Sequence, residues 1–315
     1  MIKLYQEAEK YINDIYWNES HDSHSKLNVP KIIEEKLVKE NKEKDPHYYE
    51  HREGVIHATS VAKCLRGVVY GMLGAEKDNP IETRILGVFK AGNLFEDFII
   101  EALGDRVVHK QREYTFIYKN LTLVGRSDFT IDDDGIMRVG ECKSVHSDSF
   151  WMREREGTLV AWHNQIQLQI YMWLERKLNG NNWDGVFTYI SKDDCTVISA
   201  PVRFNPHIID DIVIPALDII NEAYTAKNPE LAPLPPSVIF SEAKHQYQKN
   251  WLAKYCEYHE SCCGKGWILE ATNLVTTRNK ELKASMPNPH AKKKVKPSIQ
   301  VVGVVEPTEE LKVDE

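Results

Sequence analysis

Two runs of alternating apolar and polar residues, Val124-Gly125-Arg126-Ser127-Asp128-Phe129 and Arg138-Val139-Gly140-Glu141-Cys142-Lys143-Ser144, lie on either side of Asp132-Asp133-Asp134-Gly135. Period-two alternation closed by an Asp-Gly pair predicts a β-hairpin. Such a hairpin sets Asp128 near Glu141 at its open end. Glu141 and Lys143, two apart on a strand, share a face. Two carboxylates and an amine converging on one sheet face are costly to bury unpaired, and a divalent cation would relieve that cost. An exposed hairpin with ordinary surface charges has the same spacing, so the rest of the chain has to decide between the two.

The 315 residues, 42% hydrophobic and 28% charged, suit one substantial soluble core with room for an appendage or tails. No apolar run approaches a membrane span, and Met1-Ile2-Lys3-Leu4-Tyr5-Gln6-Glu7 is too polar for a secretory signal. The expectation is a protein of the cytoplasm, in a prokaryotic cell or a phage-infected host. A formal net charge of −7 means that any phosphate contacts must come from local Lys and Arg. Three of the six cysteines, Cys256, Cys262 and Cys263, crowd near one end, which favours metal ligation over disulfides.

Three regions follow: a charged helical extension over residues 1–52, a main domain over 53–270, and a Lys-rich then acidic tail over 271–315. In the first, Leu4, Ala8, Tyr11, Ile12 and Ile15 repeat at helical spacing, as do Ile32, Ile33, Leu37 and Val38; His21 and His24 sit in a polar linker. In the second, Thr59 or Ser60 is expected to cap a helix carrying Cys64 in its second turn. A helix over 87–103 carries Glu96 beside its apolar stripe. Strands over 113–118 and 121–131 lead into the hairpin. A helix over 158–178 puts Gln167 and Tyr171 four apart on one face. Strands over 185–191 and 196–204 and a helix over 206–226 complete an α/β order, a mixed sheet flanked by helices.

Asp128 and Glu141, with the backbone carbonyl of Cys142, are suitable oxygen ligands for Mg²⁺ or Mn²⁺. Lys143 would position a water or stabilise charge developing on a phosphate, and Glu96 is available as a further ligand. The ordered set Gly92-x3-Glu96, Gly125-x2-Asp128, Glu141-x-Lys143, Gln167-x3-Tyr171 resembles the RecB-like branch of the PD-(D/E)XK nuclease superfamily over roughly residues 57–263. Gly-Arg-Ser-Asp-Phe and Gly-Glu-Cys-Lys-Ser are similar to that branch's second and third motifs, and Gln167-Leu168-Gln169-Ile170-Tyr171 to its Q-x3-Y signature. The resemblance implies a restriction-endonuclease-like mixed central sheet flanked by helices. It also implies metal ligation by Asp128 and Glu141, a catalytic Lys143, and Gln167 and Tyr171 completing the site. Glu96 stands where RecB-like members usually have histidine.

Cys64 ahead of this region and Cys256-x5-Cys262 after it resemble the iron–sulfur subgroup, the CRISPR-associated RecB-like exonucleases and the AddB-type helicase-nucleases. There an early cysteine and a late C-x2-C-x5-C hold a [4Fe–4S] cluster. Ala253 occupies the position of the missing cysteine, leaving Cys263 or His259 as candidate fourth ligands, and three Cys with one His would also suit zinc. Cys142 and Cys195 have structural thiols on this reading. The expected activity is metal-dependent exonucleolytic hydrolysis of DNA, on single strands or ends, in CRISPR adaptation, recombination or phage DNA processing. Its partners would be DNA and the proteins of those processes, with no membrane. The alternatives are a cluster-free RecB-like nuclease of genome maintenance and a non-catalytic DNA-end-binding module.

Overall fold

The computed structural model of the chain describes residues 29–43, 53–79, 82–148, 150–151, 161–180, 183–241 and 245–285. The expected helix over 4–15, the His21/His24 linker and the Lys-rich run near 292–296 lie outside the described residues.

The hairpin forms where the alternation places it. Strands β5 (Phe129–Asp133) and β6 (Ile136–Val145) pair antiparallel, Asp133 opposite Ile136 and Phe129 opposite Gly140. Asp134 and Gly135 both take positive φ, 52° and 89°, the type I′ geometry whose twist matches the flanking strands. The Asp132 carboxylate accepts the Gly135 N–H at 2.7 Å. β6 then pairs parallel with β7 (Trp183–Ser191), and β7 antiparallel with β8 (Val197–Val202). With β2 (Val107–Lys110) on the other edge, the mixed sheet runs β2-β5-β6-β7-β8, and β6 is its central strand.

The strand expected over 121–131 is two strands in different sheets. β4 (Leu121–Arg126) lies between β1 (Val55–His57), parallel, and β3 (Glu113–Tyr118), antiparallel. The chain leaves that sheet at Ser127–Asp128 to enter β5. Backbone bonds fix the crossing: Ser127 N–H donates to the Arg112 carbonyl at 3.0 Å, and Gln111 N–H to the Asp128 carbonyl at 2.8 Å. Asp128 therefore sits outside a regular ladder, and the pleat does not dictate its side-chain direction.

Helices cover both faces of the five-stranded sheet. On one, α3 (Thr83–Leu103) packs Ile99 and Ile100 against Phe129, Cys142, Val186 and Ile190. On the other, α4 (Trp162–Asn179) buries Ile166, Leu168, Ile170 and Met172 with Val139, Phe187 and Tyr189. This second core also takes Val68, Val69 and Met72 of α2 (Leu65–Met72), and Leu217 and Ile220 of α5 (Ile214–Thr225), which continues a π-helical segment at Ile209–Val213. Each fully buried side chain of this size contributes about 1.5–3 kcal/mol. These two layers, rather than surface ion pairs, therefore hold the sheet in place. The chain is α/β with mixed sheets flanked by helices.

Ahead of this body, α1 (Val29–Glu43) lies along α3, with Glu40 bonded to Lys90 at 3.1 Å. After it, an unforeseen hairpin of β9 (Val238–Ser241) and β10 (Gln246–Lys249) packs on α8 (Trp267–Ser285) through Val238, Trp267 and Ala271. α8 runs through residue 270, where the main domain was expected to end. Trp267, Ala271, Leu274 and Val275 already recur at helical spacing there. Two short helices, α6 (Trp251–Lys254) and α7 (His259–Cys263), lie between hairpin and α8. Among the described residues, no helix is long and apolar enough to cross a membrane.

Candidate functional site

Glu141, 1% exposed on the central strand, has its two oxygens in different states. Oε1 accepts the Lys143 ammonium and the Gln167 amide, the latter at 2.7 Å. Oε2 is buried and receives no hydrogen bond among the described residues. Lys143 also donates to the Cys142 carbonyl at 3.2 Å, and the Cys142 N–H donates to Asp128 Oδ2 at 2.6 Å. Asp128 thus meets β6 one residue beyond Glu141. The Gln167 amide also donates to the Tyr171 hydroxyl at 3.1 Å. The Tyr171 ring stacks on Tyr114, 5.4 Å between centroids, and lies against Gly125, where a Cβ would come within 2.5 Å of it. Gly125 is therefore required by the approach of that ring.

Glu96, on α3, accepts the Gln111 side-chain amide at 3.0 Å. Burial raises its pKa, and the charge of Asp128 raises it further. Burial and then the charge of Glu141 push Asp128 up to about 7. Glu141 is raised by burial against the opposing pull of Lys143. For Lys143, burial disfavours the ammonium, but Glu141 and Asp128 outweigh it and hold the pKa above its ordinary value. The lysine is therefore a fixed cation among carboxylates that resist ionising together. Glu141 with its orphaned, buried Oε2, the two carboxylates whose charges interact with it and the Cys142 carbonyl are oxygen ligands of the kind a hard divalent cation takes.

The Cys142 thiol points to the opposite face of β6, into the core against α3, and burial raises its pKa. Cys195 is exposed. Neither belongs to a second cluster, formed by Cys64, Cys256 and Cys262. The sulfurs of these three lie within 4.8 Å of one another, with Cys64 and Cys262 3.6 Å apart. Among the described residues this is the one group of three or more Cys, His, Asp or Glu ligand atoms drawn so close; Glu96, Asp128 and Glu141 are more widely set.

Cys64 is not in the second turn of its helix as expected. Ala58–Ser60 closes a 3₁₀ turn of its own, α2 begins at Leu65, and Cys64 is the N-cap, its sulfur accepting the Gly67 N–H at 3.4 Å. Donated hydrogen bonds from Cys256 and then Cys262 lower the Cys64 pKa, so the thiolate of the group is favoured at the helix N-terminus. A Cβ at Gly67 would fall 2.6 Å from Cys256 Sγ, so the cluster itself demands glycine there. Cys263, expected as a candidate ligand, shares a side-chain hydrogen bond with Cys262 but lies outside the tight group of three, and it also packs against the small core of Val238, Trp267 and Ala271. His259 is buried edge-on against Trp267, ring centroids 5.0 Å apart, and is outside the sulfur group. The side chain at Ala253 is outside the described residues.

Several residues that the sequence did not single out hold these sites. Asp78 accepts the N–H groups of Glu260 and Ser261 at 2.9 and 2.7 Å, and Asn79 bonds the carbonyls of Glu257 and Cys256. Together they dock the late cysteine segment beside α2. Behind Asp128, the fully buried Glu175 pairs with Arg112 and accepts the Tyr114 hydroxyl. Its one sequence signal is its place four residues beyond Tyr171 on the same helix face.

No protein-family profile matches the chain, and no curated protein does. Among solved structures the chain is similar to that of SSO0001, at 19% identity and a TM-score of 0.47, over 76% of this chain and 99% of that one.

Proposed function

We propose that this chain is a metal-dependent deoxyribonuclease with a restriction-endonuclease-like core of the RecB-like kind. Its substrates would be single-stranded DNA or DNA ends, in CRISPR adaptation, recombination or phage DNA processing. One observation carries the reading: Asp128, Glu141, Lys143, Gln167 and Tyr171 form a single connected constellation that includes a buried carboxylate oxygen, Glu141 Oε2, with no donor among the described residues.

A divalent cation held by Asp128 and Glu141, with Glu96 and the Cys142 carbonyl within the same donor set, would supply Lewis acidity toward a phosphodiester oxygen. The protein's own groups do the rest. Gln167 holds Glu141 Oε1 and so sets the direction of Oε2. Lys143, kept charged, faces the negative charge that accumulates on the phosphate as its bond to the leaving oxygen breaks. Tyr171, wedged between Tyr114 and Gly125, fixes Gln167 through its hydroxyl. The thiol group at Cys64, Cys256 and Cys262 suits an iron–sulfur cluster or zinc, and we place it as a structural clip outside the chemistry.

The test is degradation of end-labelled single- and double-stranded DNA with Mg²⁺ or Mn²⁺. Cleavage that disappears in Asp128→Ala and Lys143→Ala supports the reading. A wild-type protein that binds DNA ends but cleaves nothing in either metal would sink it and favour a non-catalytic end-binding module.

A further inference from the structure

Glu175 is 0% exposed, and one charged side chain, Arg112, and two neutral ones, Tyr114 and Asn179, converge on it. Its Oε1 is paired with the Arg112 guanidinium and accepts the Tyr114 hydroxyl at 3.0 Å; its Oε2 accepts the Asn179 amide at 2.6 Å. The Tyr114 oxygen is also 3.1 Å from Ser127 Oγ, so Ser127 can donate to Tyr114 while Tyr114 donates to Glu175. A buried charge with this many partners is held hard in place, and truncating one partner exposes the full desolvation cost of the other.

What Glu175 holds is the two-residue segment Gln111–Arg112. Its backbone bonds both residues of the sheet crossing, Ser127 and Asp128. Its Gln111 side chain bonds Glu96. Gln111 takes φ of +50°, the left-handed region that a residue with a Cβ adopts at a cost of about 1 kcal/mol or more, and only where its surroundings impose it. One segment therefore sets the positions of two carboxylates that come from different elements, α3 and the β4–β5 crossing. The buried Glu175–Arg112 pair anchors that segment to α4, the helix that also carries Gln167 and Tyr171.

We propose that Glu175 is a positioning residue: through Arg112 and Tyr114 it fixes the separation of Glu96 and Asp128, and so the affinity of the site for a divalent cation. The inference rests on the nuclease reading of those carboxylates. Its readout is Mn²⁺ binding to the full chain without DNA, followed by titration calorimetry and by the electron paramagnetic resonance of bound Mn²⁺, alongside the melting temperature.

Glu175→Gln is expected to weaken Mn²⁺ binding about tenfold or more. Tyr114→Phe, which keeps the ring stack and removes only the hydroxyl, is expected to weaken it several-fold while the chain stays folded with a lowered melting temperature. Gln111→Ala, away from the core, is expected to weaken it as well. Combined with Tyr114→Phe it should do so by less than the product of the two single effects, because both act through one segment. Mn²⁺ affinity within twofold of wild type in folded Tyr114→Phe and Gln111→Ala overturns the positioning role, and so does full multiplicativity in the double variant. Failure of the wild-type chain itself to bind Mn²⁺ overturns the nuclease reading and this inference with it. A wild type that binds Mn²⁺ without cleaving DNA removes only the catalytic part.

Discussion

The carboxylate group and the cysteine group are assembled in opposite ways. Asp128, Glu141 and Lys143 come from one hairpin and its approach. Gln167 and Tyr171 come from the helix packed on it, and each of these side chains has a hydrogen-bond partner within the fold. Cys64 and Cys262 lie 198 residues apart and meet where a helix start and a short late helix touch through loops. Closing so long a loop is entropically expensive, and the three thiols meet at its closure. The difference teaches where a metal would matter. At the carboxylates the fold brings the ligands together, and a cation would relieve repulsion. At the cysteines a metal would itself hold two distant segments together.

The sharpest way to break this comparison is to remove ligands from each side. Lys143→Ala and Asp128→Asn are expected to lower DNA cleavage about 10²–10³-fold or more, the range for loss of a group that stabilises transition-state charge. The melting temperature should hold or rise in Asp128→Asn, which removes a buried like charge, and fall in Lys143→Ala, which leaves Glu141 buried without its cation. Cys64→Ser and Cys262→Ser should do the reverse. Bound metal is lost, the segment around 256–263 becomes sensitive to protease, and stability falls by about 3–4 kcal/mol, as for a ligand present at several hundred to a thousand times its dissociation constant. Elemental and sulfide analysis of anaerobically purified protein then separates an iron–sulfur cluster from zinc. Metal-free wild-type protein with unchanged stability would remove the clip from the comparison.

What the sequence disclosed follows the same division. Period-two alternation and Asp-Gly are local signals, and they placed the hairpin, its turn and the shared face of Glu141 and Lys143. The break at Ser127–Asp128 was hidden, because both halves of 121–131 alternate alike. The cause of the break, backbone bonds to Gln111–Arg112, is a long-range pairing that leaves no pattern in the strand itself. Cys64 was misplaced by one helical turn because Thr59 and Ser60 are good caps, and their turn closes as 3₁₀ before α2 starts. Glu175 was invisible for a different reason, since an acid in a helical run reads as solvated until the fold shows what surrounds it.

Two glycines offer a gentler comparison, one at each site. Gly125→Ala would press a Cβ to 2.5 Å from the Tyr171 ring, and Gly67→Ala to 2.6 Å from Cys256 Sγ. Overpacking of this kind costs typically about 1–3 kcal/mol. The Tyr171 ring is held by Tyr114 and cannot withdraw, so Gly125→Ala should lower both stability and cleavage, the latter through Gln167. Cys256 sits in a loop and can withdraw, so Gly67→Ala should lower metal content while cleavage stays near wild type. Equal losses of cleavage in both variants would mean that the two sites are coupled.

The smallest effect is one of pH. Asp128 has its pKa raised to about 7, chiefly by burial and then by Glu141, so the folded chain binds a proton there more tightly than the unfolded chain does. For the metal-free protein this contribution to stability is fully present below the ordinary carboxylate value near 4 and is lost as pH rises toward 7. A cation competes with that proton and reverses the trend. Metal binding and cleavage should rise with pH, by up to about tenfold per unit below 7, and level off above it. In Asp128→Asn the metal-free stability should become flatter across pH 4–7, a change read by thermal melts at each pH. Cys64→Ser removes no member of the Glu96, Asp128 and Glu141 set, so it should leave the pH profile of cleavage where it was. A profile that moved with Cys64 instead would place the titrating group at the clip, and the comparison would have to be redrawn.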